Sequence, residues 1–313
     1  MTSRRTAMVA GLAWLARAQV SIDPRRKPAP PKEDPTGATL RVDTNLVLIP
    51  VAVNDPLNRP VTGLEKENFR VFDDRIEQTI TQFAMDDDTV AVGLVFDTSG
   101  SMGDKLRTSR LAAKAFFRTS NEDDDEYFLV EFDDRPRLEV PLTHDTGHIE
   151  TQLMFSKSHG STALLDALLL AIHEMHKSKK KKKALLVISD GGDNHSRYTT
   201  AEAQRVIRES DVLIYAIGVF GGGSTPEEAG GAGLLTRIAE STGGRLFEAI
   251  PADLPDIARK IGIDLRNRYV LGYSPANQQR DGKYHRIDVR LVPPRGLPKL
   301  IAHWRTGYFA PVE

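Results

Sequence analysis

The sequence contains no cysteine among its 313 residues. The absence of thiols excludes structural disulfides, a lipid-modified cysteine anchor and any thiolate metal site. Neither sign of charge is in excess, because 42 lysine and arginine residues face 43 aspartate and glutamate residues, giving a net charge of -1. This balance offers no electrostatic basis for nucleic acid as a partner.

Long hydrophobic runs are also scarce. The apolar residues 7–16 are too few to cross a bilayer as a helix, but they follow Arg4 and Arg5 as the core of a signal peptide would. Ala16-Arg17-Ala18 fits a cleavage site, so we predict a signal peptide over residues 1–18, with an uncleaved apolar helix as the alternative. We expect an exported protein that is periplasmic, cell-surface or secreted, with no transmembrane segment in the mature chain.

The chain beyond the signal divides by composition. Residues 19–37 are rich in proline and are predicted to be a linker. Residues 38–88 and 267–313 show strand patterns, including a predicted hairpin of 69–72 with 78–83 and a single strand over 300–308. Each flank has only roughly fifty residues, which is marginal for an independent core. We therefore predict that both flanks form one small β-sandwich, although two separate β appendages are the alternative.

Residues 89–266, between the flanks, alternate between apolar strands and helices. The apolar runs at 90–97 and 184–189 are typical of strands buried on both faces. Thr199 and Glu202 form a capping box that begins one of the helices. This alternation predicts an α/β fold with a doubly wound, mostly parallel, Rossmann-like sheet.

Oxygen-bearing side chains follow the predicted strands of this region. Asp97, Ser99 and Ser101 come at the end of one buried strand, Thr162 precedes a helix, and Asp190 follows another buried strand. In a doubly wound sheet these positions share the carboxyl edge, where ligands bind. Carboxylates and hydroxyls suit a hard cation, so we predict a Mg2+ site, with Mn2+ or Ca2+ as possible occupants.

The constellation resembles the metal-ion-dependent adhesion site (MIDAS) of the von Willebrand factor type A domain, over about residues 90–265. The β segments on both sides resemble an exported bacterial family related to that domain. The resemblance implies that Ser99 and Ser101 ligate the metal directly and that Thr162 joins them when a partner is bound. It also implies that Asp97 and Asp190 lie in or beside the coordination shell, and that an acidic side chain of a partner protein fills the open position.

The resemblance implies an exported, metal-dependent protein-binding or adhesion module rather than an enzyme. The alternatives are a metal-dependent hydrolase or phosphatase, and a structural envelope component whose metal only stabilises the fold. The sequence has no Gly-x-Ser-x-Gly elbow and no His-Glu-x-x-His motif. His159, Asp193 and His195 lie in loops near the predicted site and are interpreted as exposed loop residues. Neither the partner nor the oligomeric state can be read from the sequence.

One further motif is a basic run of Lys177 and residues 179–183. We interpret it as a solvated loop with cations at a helix C-terminus, with a lipid or polyanion site as the alternative.

Overall fold

The structure is a computed structural model that describes residues 46–86, 89–119, 124–220, 226–248, 253–277, 280–294 and 296–312. The predicted signal peptide at 1–18, the predicted linker at 19–37 and the first residues of the N-terminal flank lie outside the described residues, so those boundaries stay predictions.

The described part of the chain begins and ends with runs of strands, between which strands and helices mostly alternate. The strands, numbered in chain order, are β1 (Val47–Asn54), β2 (Phe69–Asp73), β3 (Ile76–Gln78), β4 (Gln82–Asp86), β5 (Val90–Asp97), β6 (Glu126–Phe132), β7 (Pro136–Thr143), β8 (Lys182–Ser189), β9 (Leu213–Gly218), β10 (Leu246–Glu248), β11 (Arg268–Tyr273), β12 (Tyr284–Leu291), β13 (Ile301–Trp304) and β14 (Gly307–Phe309). The helices are α1 (Leu106–Phe117), α2 (Thr146–Phe155), α3 (Leu164–Met175), α4 (Thr200–Glu209), α5 (Pro226–Thr242) and α6 (Leu254–Arg266).

The central sheet has six strands in the order β10-β9-β8-β5-β6-β7. All neighbouring strands are parallel except β7, which runs antiparallel to β6 at one edge. Every residue of β5 is buried because helices cover both faces of the sheet. This arrangement confirms the predicted doubly wound α/β fold.

Two hydrophobic cores lie on opposite faces of this sheet. Alternate side chains of β5 point to opposite faces, so Val92 and Leu94 lie in one core while Ala91 and Val95 lie in the other. The first core is completed by α1, α2 and α6, and the second by α3, α4 and α5. The helix layers therefore hold the carboxyl ends of β5 and β8 at one end of the sheet.

The two β flanks form a sandwich of two antiparallel sheets, with strand orders β13-β1-β11-β4 and β14-β12-β2-β3. Each sheet combines strands from both flanks, because β1 pairs with β11 and β2 pairs with β12. Their inner faces share one core, in which Ile49 and Val71 of the first flank pack with Leu271 and Val289 of the second. The prediction of a joint sandwich is confirmed.

Two strand predictions within the flanks were wrong in the same way. The predicted strand 78–83 is interrupted after Gln78, and the chain crosses to the opposite sheet, where β4 pairs with β11 instead of β2. The predicted strand 300–308 likewise divides at Arg305 and Thr306 into β13 and β14, which belong to different sheets. A strand that changes sheets keeps its apolar alternation on both sides of the crossing, so the pattern does not show the break.

Helix starts follow the predicted chemistry where a capping residue is present. The Thr199 hydroxyl accepts from the Glu202 amide, and the Glu202 carboxylate accepts from the Thr199 amide, as the capping box predicts. Helix α2, which the Asp145 side chain caps, was not predicted from the sequence. Among the described residues, no helix has the length and apolar character needed to cross a membrane.

Candidate metal site

The site lies where β5 and β8 end side by side. The two strands are parallel and in register up to Phe96 and Ile188, so the residues that follow each strand meet at the same edge. Asp97 closes β5 and is fully buried, and Asp190 follows β8 with 5% of its surface exposed. The sheet topology thus brings together two carboxylates that are far apart in sequence.

Asp97 is held by a hydrogen bond to each of its carboxylate oxygens. Its Oδ1 accepts from the Ser99 amide at 2.8 Å, and its Oδ2 accepts from the Ser189 hydroxyl at 2.6 Å. The pKa of Asp97 is raised to about 6, chiefly by burial and to a smaller extent by the nearby charge of Asp190, against the opposing effect of these hydrogen bonds. A cation beside this carboxylate would favour its charged form.

Two serine hydroxyls lie together in the turn after β5. Ser99 Oγ and Ser101 Oγ are 3.2 Å apart, and Ser101 lies in a short 3-10 turn over Gly100–Met102 that precedes α1. Ser99 is buried whereas Ser101 is exposed, so the site is accessible from the solvent on the side of Ser101. Alternate positions in a tight turn therefore place both hydroxyls on one side of the backbone.

A second loop packs against this turn and carries Thr162. The Gly100 amide donates to the Gly160 carbonyl at 3.0 Å, and the His159 amide donates to the Thr98 carbonyl at 2.9 Å. The Thr162 amide donates to Asn194 Oδ1 at 2.9 Å, which ties this loop to the one after β8. Backbone hydrogen bonds thus fix the three loops relative to one another.

The loop after β8 carries Asp190 next to Thr162. A Cβ built on Gly192 would lie 3.5 Å from Asp190 Oδ1 and 3.9 Å from Thr162 Oγ1, so both oxygens flank this glycine. Gly191 has a φ of +80°, and a Cβ there would lie 2.4 Å from the Gly231 carbonyl oxygen. The turn that places Asp190 therefore requires glycine at position 191.

Two residues of the site were not predicted from the sequence. Lys105, just before α1, places its Nζ 3.0 Å from Asp190 Oδ2, and 17% of its side chain is exposed. Ser189 bridges two loops, because its hydroxyl donates to Asp97 and accepts from the Gly191 amide at 2.8 Å. Ser189 could have been predicted only from its position directly before Asp190. Lys105 could have been predicted only from its position near the serine turn.

The donor set fits a hard divalent cation. It consists of oxygen atoms, from three hydroxyls and two carboxylates, as Mg2+ prefers. The two carboxylates carry two negative charges, and Lys105 supplies one positive charge. Because the Asp97 oxygens already accept hydrogen bonds, the hydroxyls are the better placed direct ligands. Ser99, Ser101 and Thr162 are therefore the residues that could hold the metal, with Asp97 and Asp190 beside them.

The other polar loop residues have structural partners. His159 is exposed, and its Nδ1 lies 3.2 Å from Asp133 Oδ2. Asp193 Oδ1 accepts from the Leu165 amide and the Ser196 hydroxyl, which fixes the start of α3. Only Asp193 departs from the predicted exposure, since it is half-buried, while His195 is exposed.

A second polar cluster lies in the sandwich, where Asp73, Asp74 and His285 have potential ligand atoms within 4.8 Å of one another. His285 Nδ1 lies 3.3 Å from Asp73 Oδ1 and 3.1 Å from Asp74 Oδ2. The hydroxyls of Tyr273 and Tyr308 both donate to Asp73 Oδ2 at 2.9 Å. Asp73 is thus already supplied with donors, and the cluster fits a network that joins sandwich strands better than a metal site.

Comparisons with known proteins give one family match at this site. Residues 92–192 match the family model of the von Willebrand factor type A domain. A comparison with curated protein sequences finds no match.

Several solved structures match parts of the chain at low sequence identity. The conserved hypothetical protein BatB from Bacteroides thetaiotaomicron has 18% identity and a TM-score of 0.45, over 56% of this chain and 98% of that one. The vWF domain of the type V pili tip protein Mfa5 from Porphyromonas gingivalis has 16% identity and a TM-score of 0.46, over 57% and 96%. A von Willebrand factor type A protein from Catenulispora acidiphila has 15% identity and a TM-score of 0.49, over 87% and 75%.

Proposed function

We propose that this chain, which carries a von Willebrand factor type A domain, is a metal-dependent protein-binding module. A divalent cation held by Ser99, Ser101 and Thr162 would capture an acidic side chain of a partner protein. One observation carries the proposal: three loops at the carboxyl edge of the sheet bring together hydroxyls and two carboxylates, and the buried Asp97 is already held by hydrogen bonds.

The balance of ligands favours capture of a partner over simple storage of the metal. When bound, the cation supplies an electrophilic centre that accepts further oxygen ligands. Hydroxyls leave more of its charge uncompensated than carboxylates do, so an incoming carboxylate gains electrostatic energy. Ser101 is exposed, which leaves the serine turn accessible to a partner from the solvent.

Physiological Mg2+ is the proposed occupant, with Mn2+ and Ca2+ as alternatives. Mg2+ tends to keep several waters and is held by few protein ligands, which agrees with a site of hydroxyls and two carboxylates. A larger ion such as Ca2+ takes more oxygen ligands. Competition between the three ions in calorimetry would rank them directly.

The proposed partner capture is tested by a pull-down from the native envelope. Wild-type protein should retain a partner in Mg2+ and release it in EDTA, and Asp97→Ala should retain none in either condition. Asp104→Ala is a matched control because Asp104 is an exposed carboxylate in the same turn region. Capture by Asp97→Ala, or by wild type in EDTA, would refute the proposal.

Two alternatives give different results in the same preparation. A structural envelope component would show a large Mg2+-induced rise in melting temperature but no Mg2+-dependent partner. A hydrolase or phosphatase would show turnover in panels of ester and phosphate substrates with Mg2+ or Mn2+. We propose a non-enzymatic role, because the polar residues near the site have structural partners in the surrounding loops.

Export is a separate part of the proposal. It is supported by the signal-peptide pattern of residues 1–18. N-terminal sequencing of the protein recovered from cells should find Gln19 as the first residue, in an envelope or extracellular fraction. Recovery of the uncleaved chain in the cytoplasmic fraction would contradict export.

A further inference from the structure

A cleft of about 430 Å3 lies at the opposite end of the central sheet from the metal site. It is lined by the first residues of central strands, including Val90, Lys182 and Leu213, and by the sheet of the sandwich that contains β1 and β11. Its volume falls in the range of about 300–1,000 Å3 that is typical of small-molecule sites. The cleft thus forms where the central sheet and the β-sandwich meet.

One wall of the cleft is apolar. Ile49 of β1 points into the sandwich core, so its neighbours Leu48 and Pro50 point outward to the cleft. Pro50 is paired with Val270 of β11, which lines the same wall. Leu48 is 43% exposed, so it presents apolar surface beside the cleft. This wall offers a surface suited to hydrocarbon.

The other part of the cleft carries a buried cation. Arg268 is on the outward face of β11 beside Val270, and 2% of its surface is exposed. Its Nη2 donates to the Tyr215 hydroxyl and to the Gly243 carbonyl. Its Nε and Nη1 are buried and have no hydrogen-bond partner among the described residues. The Asp264 carboxylate approaches Nη2, with Oδ2 at 3.8 Å. Unpaired buried N–H groups are costly, so Nε and Nη1 are suited to a further anionic acceptor.

Two more arginines line the cleft, and each also has a buried side-chain nitrogen without an acceptor among the described residues. These nitrogens are the Nε atoms of Arg208 and Arg305. Residues 181–183 of the basic run add three lysines to the lining. Asp211 is an acidic residue of this lining, and it already accepts from Arg305 Nη1. The cleft therefore combines an apolar wall with an excess of positive charge.

We propose that this cleft binds an amphiphile with one hydrocarbon chain and an anionic head group, the head group being held by the three arginines. The hydrocarbon lies against the wall of β1 and β11, where burial of apolar surface favours binding. Carboxylate and phosphate head groups share the required chemistry, since both accept charge-assisted hydrogen bonds from guanidinium. Residues 181–183 of the basic run line this cleft, so the proposal gives a location to the lipid site that was the alternative interpretation of that run.

The test is calorimetric titration of the full chain with dodecanoate and with dodecyl phosphate, below their micelle concentrations. At least one should bind at a single site, and the stronger of the two identifies the head group. Dodecyl maltoside and dodecyltrimethylammonium have the same hydrocarbon chain without an anion, and acetate and inorganic phosphate have the anion without the chain. None of these four should bind measurably at the same concentration.

Arg208→Gln supplies the variant, and Arg205→Gln supplies its control. Arg208 lines the cleft from α4, whereas Arg205 of the same helix is exposed and paired with Glu209. Arg208→Gln should weaken dodecanoate or dodecyl phosphate binding about tenfold, the usual effect of losing one charged hydrogen bond. Arg205→Gln should bind as wild type does, and matching melting temperatures would show that both variants are folded.

Three results would overturn the proposal. The first is no binding of either anionic probe, and the second is equal binding by Arg208→Gln and wild type. The third is a different occupant, detected by placing a photo-crosslinking amino acid at Leu48 in the full chain. Capture of residues 1–45 of the same chain, or of a second copy, would assign the cleft to that segment or copy instead of an amphiphile.

Discussion

At the scale of single residues, the proposed metal site depends on how Asp97 is held. A fully buried carboxylate is unfavourable unless hydrogen bonds or a cation compensate it, and here Ser99 and Ser189 supply one hydrogen bond to each oxygen. Ser189 also accepts from the Gly191 amide, so it connects the carboxylate of one strand to the loop after the next. Ser189 therefore positions Asp97 without being a proposed ligand.

Removal of the Ser189 hydroxyl should weaken both the site and the fold. Ser189→Ala leaves a buried oxygen of Asp97 without its donor, which should cost about 1–3 kcal/mol of unfolding free energy and reduce Mg2+ affinity severalfold. Urea unfolding and calorimetry measure the two effects. Ser210→Ala is the control, because the Ser210 hydroxyl donates to Ile207 at the end of α4. Unchanged Mg2+ affinity in Ser189→Ala would show that this serine does not position the site.

Lys105 should compete with the metal for Asp190. Its ammonium lies 3.0 Å from Asp190 Oδ2, so Lys105→Met removes a positive charge from the site and should raise Mn2+ affinity severalfold. The metal-free variant should also lose about 1 kcal/mol of stability, because the partly buried Asp190 loses its partner. Lys114→Met is the control, since Lys114 lies on α1 away from the site and pairs with Glu150 of α2. Weaker Mn2+ binding by Lys105→Met would instead make the lysine a supporting residue.

At the scale of secondary structure elements, strong patterns were predictable and weak ones were not. The apolar runs of β5 and β8 predicted buried strands because helices cover both faces. Helix α2 was missed because its apolar residues occur on both faces: Ile149 and Leu153 are buried, whereas Met154 and Phe155 are 73% and 72% exposed. No single apolar stripe therefore marks the buried face. The crossings that divide β3 from β4, and β13 from β14, depend on long-range pairing that no local pattern records.

The packing of β5 against β6 explains a glycine inside a buried strand. A Cβ on Gly93 would lie 2.1 Å from Phe128 Cζ and 2.7 Å from Leu185 Cδ2, so Gly93→Ala should lose about 1–3 kcal/mol through overpacking. Gly230→Ala is the matched control, because a Cβ on this helical glycine meets nothing within 4 Å. That variant should be neutral or more stable by up to about 1 kcal/mol. Equal stability of the two variants in urea would contradict the packing argument.

At the scale of the whole molecule, the sandwich and the central sheet meet through a charged interface. Arg245 and Arg268 both approach Asp264 Oδ2, at 3.7 Å and 3.8 Å. His303 of β13 lies near this group, and its pKa is lowered to about 4, chiefly by burial and then by the charge of Arg245. The neutral ring is therefore the form that the folded protein favours.

This interface predicts a pH dependence of stability. Between pH 4 and the unfolded-state pKa of about 6.5, the unfolded protein binds more protons at His303 than the folded protein does. The free energy of unfolding therefore rises with pH through this window and falls again as the pH is lowered. The change due to His303 is roughly 2 kcal/mol after allowance for the partial exposure of the ring. His303→Gln should flatten the stability curve over this window, whereas His148→Gln, an exposed change on α2, should not. Parallel curves for wild type and His303→Gln would contradict the assignment.

The candidate site itself was predictable in part. Asp97, Ser99 and Ser101 are adjacent in the chain, and a doubly wound sheet necessarily places Asp190 at the same edge. Lys105 was not predictable, because a lysine at a helix start is usually solvated, and only the packing of the turn brings its Nζ to Asp190. The buried arginines of the cleft were hidden for the same reason, since Arg268 meets Tyr215 only after the sandwich packs on the sheet.

The central claim is that the oxygen ligands around Asp97 hold a divalent cation. The most direct measurement is calorimetric titration of Mg2+ into wild type, Asp97→Ala and Asp73→Asn. Wild type should bind a single ion, Asp97→Ala should bind none, and Asp73→Asn should bind as wild type does, because Asp73 belongs to the hydrogen-bonded cluster of the sandwich. Equal binding by Asp97→Ala and wild type, or loss of the ion in Asp73→Asn alone, would contradict this claim.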